Sequence, residues 1–320
     1  MLTDGILTAA EPQNLSGAQA APAVQAPQTA QAAPPATEIY LASFTDGPRK
    51  NIRIGIMTMQ SENVSAKAPI NITNNPGYDN QPAFLPDSSG LLFASNRDGK
   101  QTDIYRYDIA SKKTTQLTHT DDNEYSPTLS PDKQTFSTVR GADQRLWRFN
   151  LDGSDAGLVY AHAGKIGYHA WLSPTQLAMY ILPAESGKPN TLQIVDLATG
   201  GTEVVESGIG RSLQMRQDGR VLGYVRKPQG DTWDIRTWDP ATRKSTYVVS
   251  TIDNSDDLAW TPSGAIVMGT ESKLSFWAEH NDDRWIMFAD LRKAGITAIT
   301  RVAVSPDGKW IAIVSTPEKK

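Results

Sequence analysis

The stretch SPDGKWIAIVS, Ser305–Ser315, reads as a tight turn followed by a strand. Proline presets φ, aspartate bonds its own backbone, and glycine accepts a positive φ. The β-branched and aromatic run WIAIVS suits a pleated, buried surface. A weaker copy, LPDSSGLLFAS, occupies Leu85–Ser95. One hairpin is commonplace; its recurrence decides the fold.

Working outward, the pattern of strand, turn and strand appears six times. The copies are QPAFLPDSSGLLFAS from Gln81, SPTLSPDKQTFSTV from Ser126, HAWLSPTQLAMYI from His169, SLQMRQDGRVLGYV from Ser212, DLAWTPSGAIVMG from Asp257 and RVAVSPDGKWIAIV from Arg301. The equivalent turn positions are Pro86, Pro131, Pro174, Gln217, Pro262 and Pro306. Their spacing of about 44 residues is that of a four-stranded propeller blade. A third strand follows each hairpin, as in DIYRYD to Asp108, RLWRFN to Asn150, TLQIVD to Asp196 and DIRTWD to Asp239. A fourth, Thr- and Val-rich strand comes next: TTQLTH, AGLVYA, TEVVES, STYVVS. The expectation is an all-β, six-bladed β-propeller of four-stranded antiparallel blades.

Ring closure follows from two deficits. The last copy stops after its hairpin. The segment Glu38–Thr73 offers EIYLASF, IRIGIMTM and PINITN with no inner strand before them. Sharing one blade between the two termini removes two exposed sheet edges. EIYLASF and WIAIVS both align to the second strand of a blade, so one of them must be displaced or added.

The remaining bounds are compositional. The 320 residues carry a formal net charge of −4, no block of basic residues and no cysteine. Nucleic acid is therefore not an expected partner, and disulfides and thiolate chemistry are excluded. No apolar run is long enough to span a bilayer. Residues 1–36 include NLSGAQAAPAVQAPQTAQAAPPA, a nearly uncharged Ala/Pro/Gln segment without periodicity. It is expected to be a disordered tail or linker, with residues 37–320 forming a single propeller domain. MLTDGILTAA before it lacks the positive n-region of a signal peptide, so no leader or anchor is legible there.

The repeat carries a resemblance. QPAFLPDSSGLLFASNRDGKQTDIYRYD running into SKKTTQLTHTDDNEYSP is similar to the Pro-Asp subclass of WD-like repeats, and resembles the propeller of the TolB family. The resemblance covers roughly Glu38 to Pro317. TolB proper has an α/β domain before its propeller, where this sequence has the Ala/Pro/Gln tail; TolB-like is the fitting term. The resemblance implies an exported, periplasmic monomer of the bacterial cell envelope that binds a protein or peptide segment and needs no cofactor. Related propellers occur in prolyl-oligopeptidase-like peptidases and in lyases acting on pectate fragments.

Enzymatic signals are sparse. There is no G-x-S-x-G elbow. The four histidines, His119, His162, His169 and His280, are scattered, and only His169 begins an inner strand. DNSDD at Asp253–Asp257 and THTDDNE at Thr118–Glu124 lack the ligand spacing of a calcium loop and read as solvated turns. No metal site is expected. The repeat alignment instead marks a channel rim, built from Gln81, Ser126, His169, Ser212, Asp257 and Arg301 and the residues before them, Asn80, Tyr125, Tyr168, Arg211, Asp256 and Thr300. Tyr125, Tyr168, His169, Arg211, Asp256, Asp257 and Arg301 are the candidate binding residues, since Tyr and Arg dominate recognition hot spots. Two readings stand. The charges form a binding surface, with little packed over Arg211 and Arg301, or they pair and plug a wet channel. Phe84, Trp171, Leu213 and Trp260, one step inside, are expected to pack between blades. The expectation is a non-enzymatic scaffold. The alternative is a metal-assisted hydrolase or lyase acting on oligosaccharides, through His169 with Asp256 or Asp257.

Overall fold

A computed structural model describes residues 34–46, 50–54, 57–61, 64–97, 99–161, 164–230, 232–279 and 284–317. The tail expectation lies outside these up to residue 33, as do His162 and His280. The N-terminal strands are β1 (Glu38–Asp46), β2 (Lys50–Ile54), β3 (Met57–Ser61), β4 (Val64–Ala66) and β5 (Ile70–Asn71). Blade 1 then comprises β6 (Asp79–Phe84), β7 (Gly90–Ser95), β8 (Asp103–Asp108) and β9 (Lys113–Gln116). Blade 2 is β10 (Glu124–Leu129), β11 (Thr135–Arg140), β12 (Arg145–Asn150) and β13 (Asp155–Tyr160). Blade 3 is β14 (Ile166–Ser173), β15 (Gln176–Ile181), β16 (Thr191–Asp196) and β17 (Thr202–Ser207). Blade 4 is β18 (Ile209–Met215), β19 (Leu222–Arg226), β20 (Asp234–Asp239) and β21 (Lys244–Ser250). Blade 5 is β22 (Ala259–Trp260), β23 (Ile266–Thr270), β24 (Lys273–Trp277) and β25 (Ile286–Asp290). The last strands, β26 (Ile299–Val304) and β27 (Trp310–Ser315), open blade 6. Each of the first five blades is an antiparallel meander in chain order.

Blade 6 closes the ring, in the order β26-β27-β1, with β4 and β5 both paired to β1. The register of the closure runs from Glu38 opposite Ser315 to Ser43 opposite Trp310. WIAIVS is thus the second strand and EIYLASF the third. Both read alike because β1 is buried on two sides: Ile39 and Leu41 face blade 1, whereas Ala42 and Phe44 face blade 5. The expected single strand IRIGIMTM is instead divided between β2 and β3, which pair only with each other in a separate two-stranded sheet.

The repeated turn works as its chemistry predicts. In blade 6 the Gly308 N–H donates to Ser305 O at 2.9 Å, and Gly308 has φ +68°. Ser88 and Lys133 hold the same left-handed position in blades 1 and 2, at +60° and +57°. Blade 3 shortens the turn, pairing Ser173 directly with Gln176.

Packing is between blades. The described residues form six apolar clusters, one for each pair of adjacent blades. Phe84, Leu213 and Trp260 are buried in them, and Trp171 packs against the cluster between blades 2 and 3, as expected. Each inner strand pairs on one side only, so six unpaired strand edges surround the central channel.

Candidate functional site

The residues that begin the inner strands do converge, but mainly as a belt that ties each blade to a neighbour. Irregularities interrupt the ladders between Asn80 and Ala83, Tyr125 and Thr128, Ile209 and Leu213, and Ile299 and Arg301. Gln81 and Ser126 take left-handed φ values of +59° and +55° there. Gln81 Oε1 accepts the Ser126 N–H of the next blade at 2.8 Å. Ser126 Oγ donates to Gly167 O at 3.2 Å, and Ser212 Oγ donates to Leu258 O at 3.1 Å. Asp257 Oδ1 accepts the Val302 N–H at 2.9 Å. His169 points back instead, with Nε2 2.6 Å from Ser137 Oγ in blade 2.

Arg301 crosses the channel. Its Nη1 donates to Asp257 Oδ2 at 3.2 Å, and its Nη2 donates to Tyr168 OH, on the opposite blade, at 2.9 Å. Arg301 is only 9% exposed, so the expectation that little packs over it does not hold. Arg211 is more open. Its Nε stands 3.2 Å from Asp256 Oδ1, and its Nη2 donates to Thr300 O. Asp256 also meets Lys227 Nζ at 3.4 Å. Tyr125 sets its ring edge-on to Tyr78 at 6.1 Å. The charges pair between neighbouring blades, Arg301 with Asp257 and Arg211 with Asp256, and the reach across the channel is the Arg301–Tyr168 bond.

Below the Arg301 bridge, a cavity of about 320 Å³ extends along the inner strands of all six blades. It reaches Gln217 and Pro306, exposed turn residues at the other end. Tyr168, His169, Arg211, Asp257 and Arg301 line it; Tyr125 and Asp256 do not. Its electrostatics are uneven. Burial pushes the His169 pKa down to about 3, so the ring is neutral. Burial also pushes the Asp257 carboxyl up, while Arg301, Arg211 and the Val302 amide pull it back.

Ser137 and His169 make the contact of a nucleophile and its base. Ser137 is fully buried, accepts the Trp171 Nε1–H at 2.9 Å, and donates to Thr128 O. His169 Nδ1 has no partner to orient it. The pair therefore reads as a fastening between blades 2 and 3. Its sequence signal is Ser137 between Phe136 and Thr138 in the strand TFSTV, whose apolar residues are Phe136 and Val139. For a metal-assisted reaction the fit is poor: among the described residues no three His, Cys, Asp or Glu side chains are grouped to hold an ion.

No family model matches the chain. An uncharacterised protein of Agrobacterium fabrum is 27% identical over 170 residues, covering 48% of this chain and 56% of its own length. The match thus spans little more than half of that relative. Among solved structures, a candidate TolB from Agrobacterium tumefaciens superposes with TM-score 0.63 at 13% identity, over 89% of this chain and 99% of that one. TolB from Acinetobacter baumannii gives 0.54 at 14%, over 89% of this chain and 64% of that one. The fold is that of TolB-like six-bladed propellers. An oligogalacturonate lyase from Vibrio parahaemolyticus gives 0.51 at 14%, over 87% and 98% of the two chains, so the same architecture also hosts an enzyme. At these identities the likeness concerns the fold alone. No described helix is long and apolar enough to cross a membrane.

Proposed function

We propose that this TolB-like propeller is a non-catalytic scaffold whose central channel receives an extended peptide segment of a protein partner. One observation carries the reading: six unpaired strand edges surround a cavity of about 320 Å³ that reaches exposed turn residues at one end. Along these edges, the backbone N–H and C=O groups that the side chains of neighbouring blades leave free are open to an extended chain, as in strand-addition recognition. The resemblance to TolB supports export and a place in the bacterial envelope.

Trp171 and Trp260 line the cavity and report occupancy by fluorescence. Titration with a random hexapeptide pool should give a saturable change. Thr128→Trp, which fills the channel, should abolish it while melting near the parent temperature. Cleavage of trigalacturonate with no response to peptides would transfer the assignment to oligosaccharide chemistry.

A further inference from the structure

The wall of the cavity changes character along its length. The charged side chains of the described lining, Arg211, Asp257 and Arg301, all stand at the closed end, the neutral His169 aside. Each is paired, Arg301 with Asp257 at 3.2 Å and Arg211 with Asp256 at 3.2 Å. The polar side chains beside them are committed to the belt: Gln81 Oε1 accepts the Ser126 N–H, and Ser212 Oγ donates to Leu258 O. Toward the open end the wall is apolar. Phe84, Leu129, Met215, Trp260 and Val304 line it from five blades, each three positions beyond the residue that begins its inner strand; blade 3 contributes Trp171, two positions beyond. At about 3.3 Å per residue, this collar lies roughly 10 Å from the belt. Leu129, Trp171, Met215 and Val304 are partly exposed, and Phe84 and Trp260 are buried. Arg216, over the Trp260 ring, is paired as well, with Asp218 at 2.7 Å.

From this arrangement we infer that the channel selects an extended segment of apolar, uncharged residues, whose aliphatic side chains pack in the collar of Leu129, Trp171, Met215 and Val304. The inference rests on the peptide-binding reading above and adds the kind of side chain preferred. In strand addition the main chain supplies affinity, and the pockets that receive side chains supply selectivity. An aliphatic side chain in the collar leaves water for apolar surface. A charged side chain in the same place loses its water while every opposite charge is already taken. Met215 is unbranched and adapts to different shapes, and Trp171 offers a broad flat face. The collar therefore selects a class of side chain and tolerates variation within it.

Three hexapeptide pools with acetylated and amidated ends test this. All carry serine at three alternate positions. The other three positions draw on Val, Leu and Met in the first pool, on Asn and Gln in the second, and on Lys and Glu in the third. By tryptophan fluorescence the first pool should bind roughly tenfold or more tightly than either of the others, the gain from burying one aliphatic side chain. The paired variant Met215→Gln with Val304→Thr keeps side-chain size and adds polar groups. It should melt near the parent temperature and lose most of the preference. An undiminished preference in a folded variant would overturn the collar as its source. The ranking of the pools by the parent protein needs no variant: equal affinity for all three, or tightest binding of the Lys/Glu pool, would overturn apolar selection and leave peptide binding standing. Binding of no pool would overturn both readings, and saturable binding of decanol by a protein indifferent to the peptides would assign the collar to a small apolar molecule.

Discussion

Glu124 is fully buried at the junction of blades 1 and 2, where Thr120 Oγ1 donates to its Oε1 at 2.9 Å and Arg140 Nε stands 3.9 Å away. Burial pushes its pKa from 4.5 up to about 7; Thr118, Thr120 and Arg140 oppose the shift, and Asp103 adds to it. Between these values the folded chain keeps a proton that the unfolded chain has released. Stability therefore falls as pH rises from about 4.5 to about 7, then levels off. Glu124→Gln keeps the Thr120 contact and removes the titration. It should match the parent near pH 4 and exceed it at pH 8 by up to about 3 kcal/mol, at about 1.36 kcal/mol per unit. Urea melts at the two pH values measure this, and an equal difference at both would show that Glu124 does not titrate in this window.

At the scale of the element, adjacent blades meet where one gives up a side chain and the next fills the gap. A Cβ on Gly223, in β19, would lie 2.7 Å from Trp260 Nε1 and 3.1 Å from two carbons of the same ring. That tryptophan also donates to Gln214 O across the same junction at 3.2 Å. Gly269 yields to Ile299 in the same way, with Cγ2 2.3 Å from the added atom. Gly223→Ala should therefore cost about 1–3 kcal/mol by overpacking. Trp260→Phe withdraws the crowded ring edge, so the double variant should lose less than the two single variants combined. Strict additivity in thermal melts would show that the crowding is absorbed elsewhere.

At the scale of the whole molecule, stability depends on a ring that the chain's two ends complete. β27 pairs with β26 on one side and with β1 on the other, and its residues enter the clusters facing blades 5 and 1. Deleting Val302–Lys320 removes β27 and half of β26, leaving β1 without its inner partner. Two apolar faces and a strand edge are then exposed, the conditions for edge-to-edge aggregation. The truncated chain should be insoluble on expression. A soluble truncation with a single cooperative melting transition would show that five blades suffice.

The sequence by itself determined the blade number, the strand order within each repeat and the pairing of the two ends. Those features depend on local turn chemistry and on a period of about 44 residues, both written along the chain. It also placed Tyr168, His169, Arg211, Asp257 and Arg301 near one axis, because equivalent positions in radial blades must meet there, though Tyr125 and Asp256 do not line the cavity. Only the tertiary structure decided which of two similar strands is second in blade 6, since an apolar strand buried on both faces looks the same in either place. Only it revealed that Gln81, Ser126, Ser212 and Asp257 bond the next blade. Arg301 reaching Tyr168 across 133 positions was equally hidden. A repeat aligns where side chains begin, but the hydrogen bonds they complete depend on the distance and tilt between blades, and those are set by the packing of the whole ring.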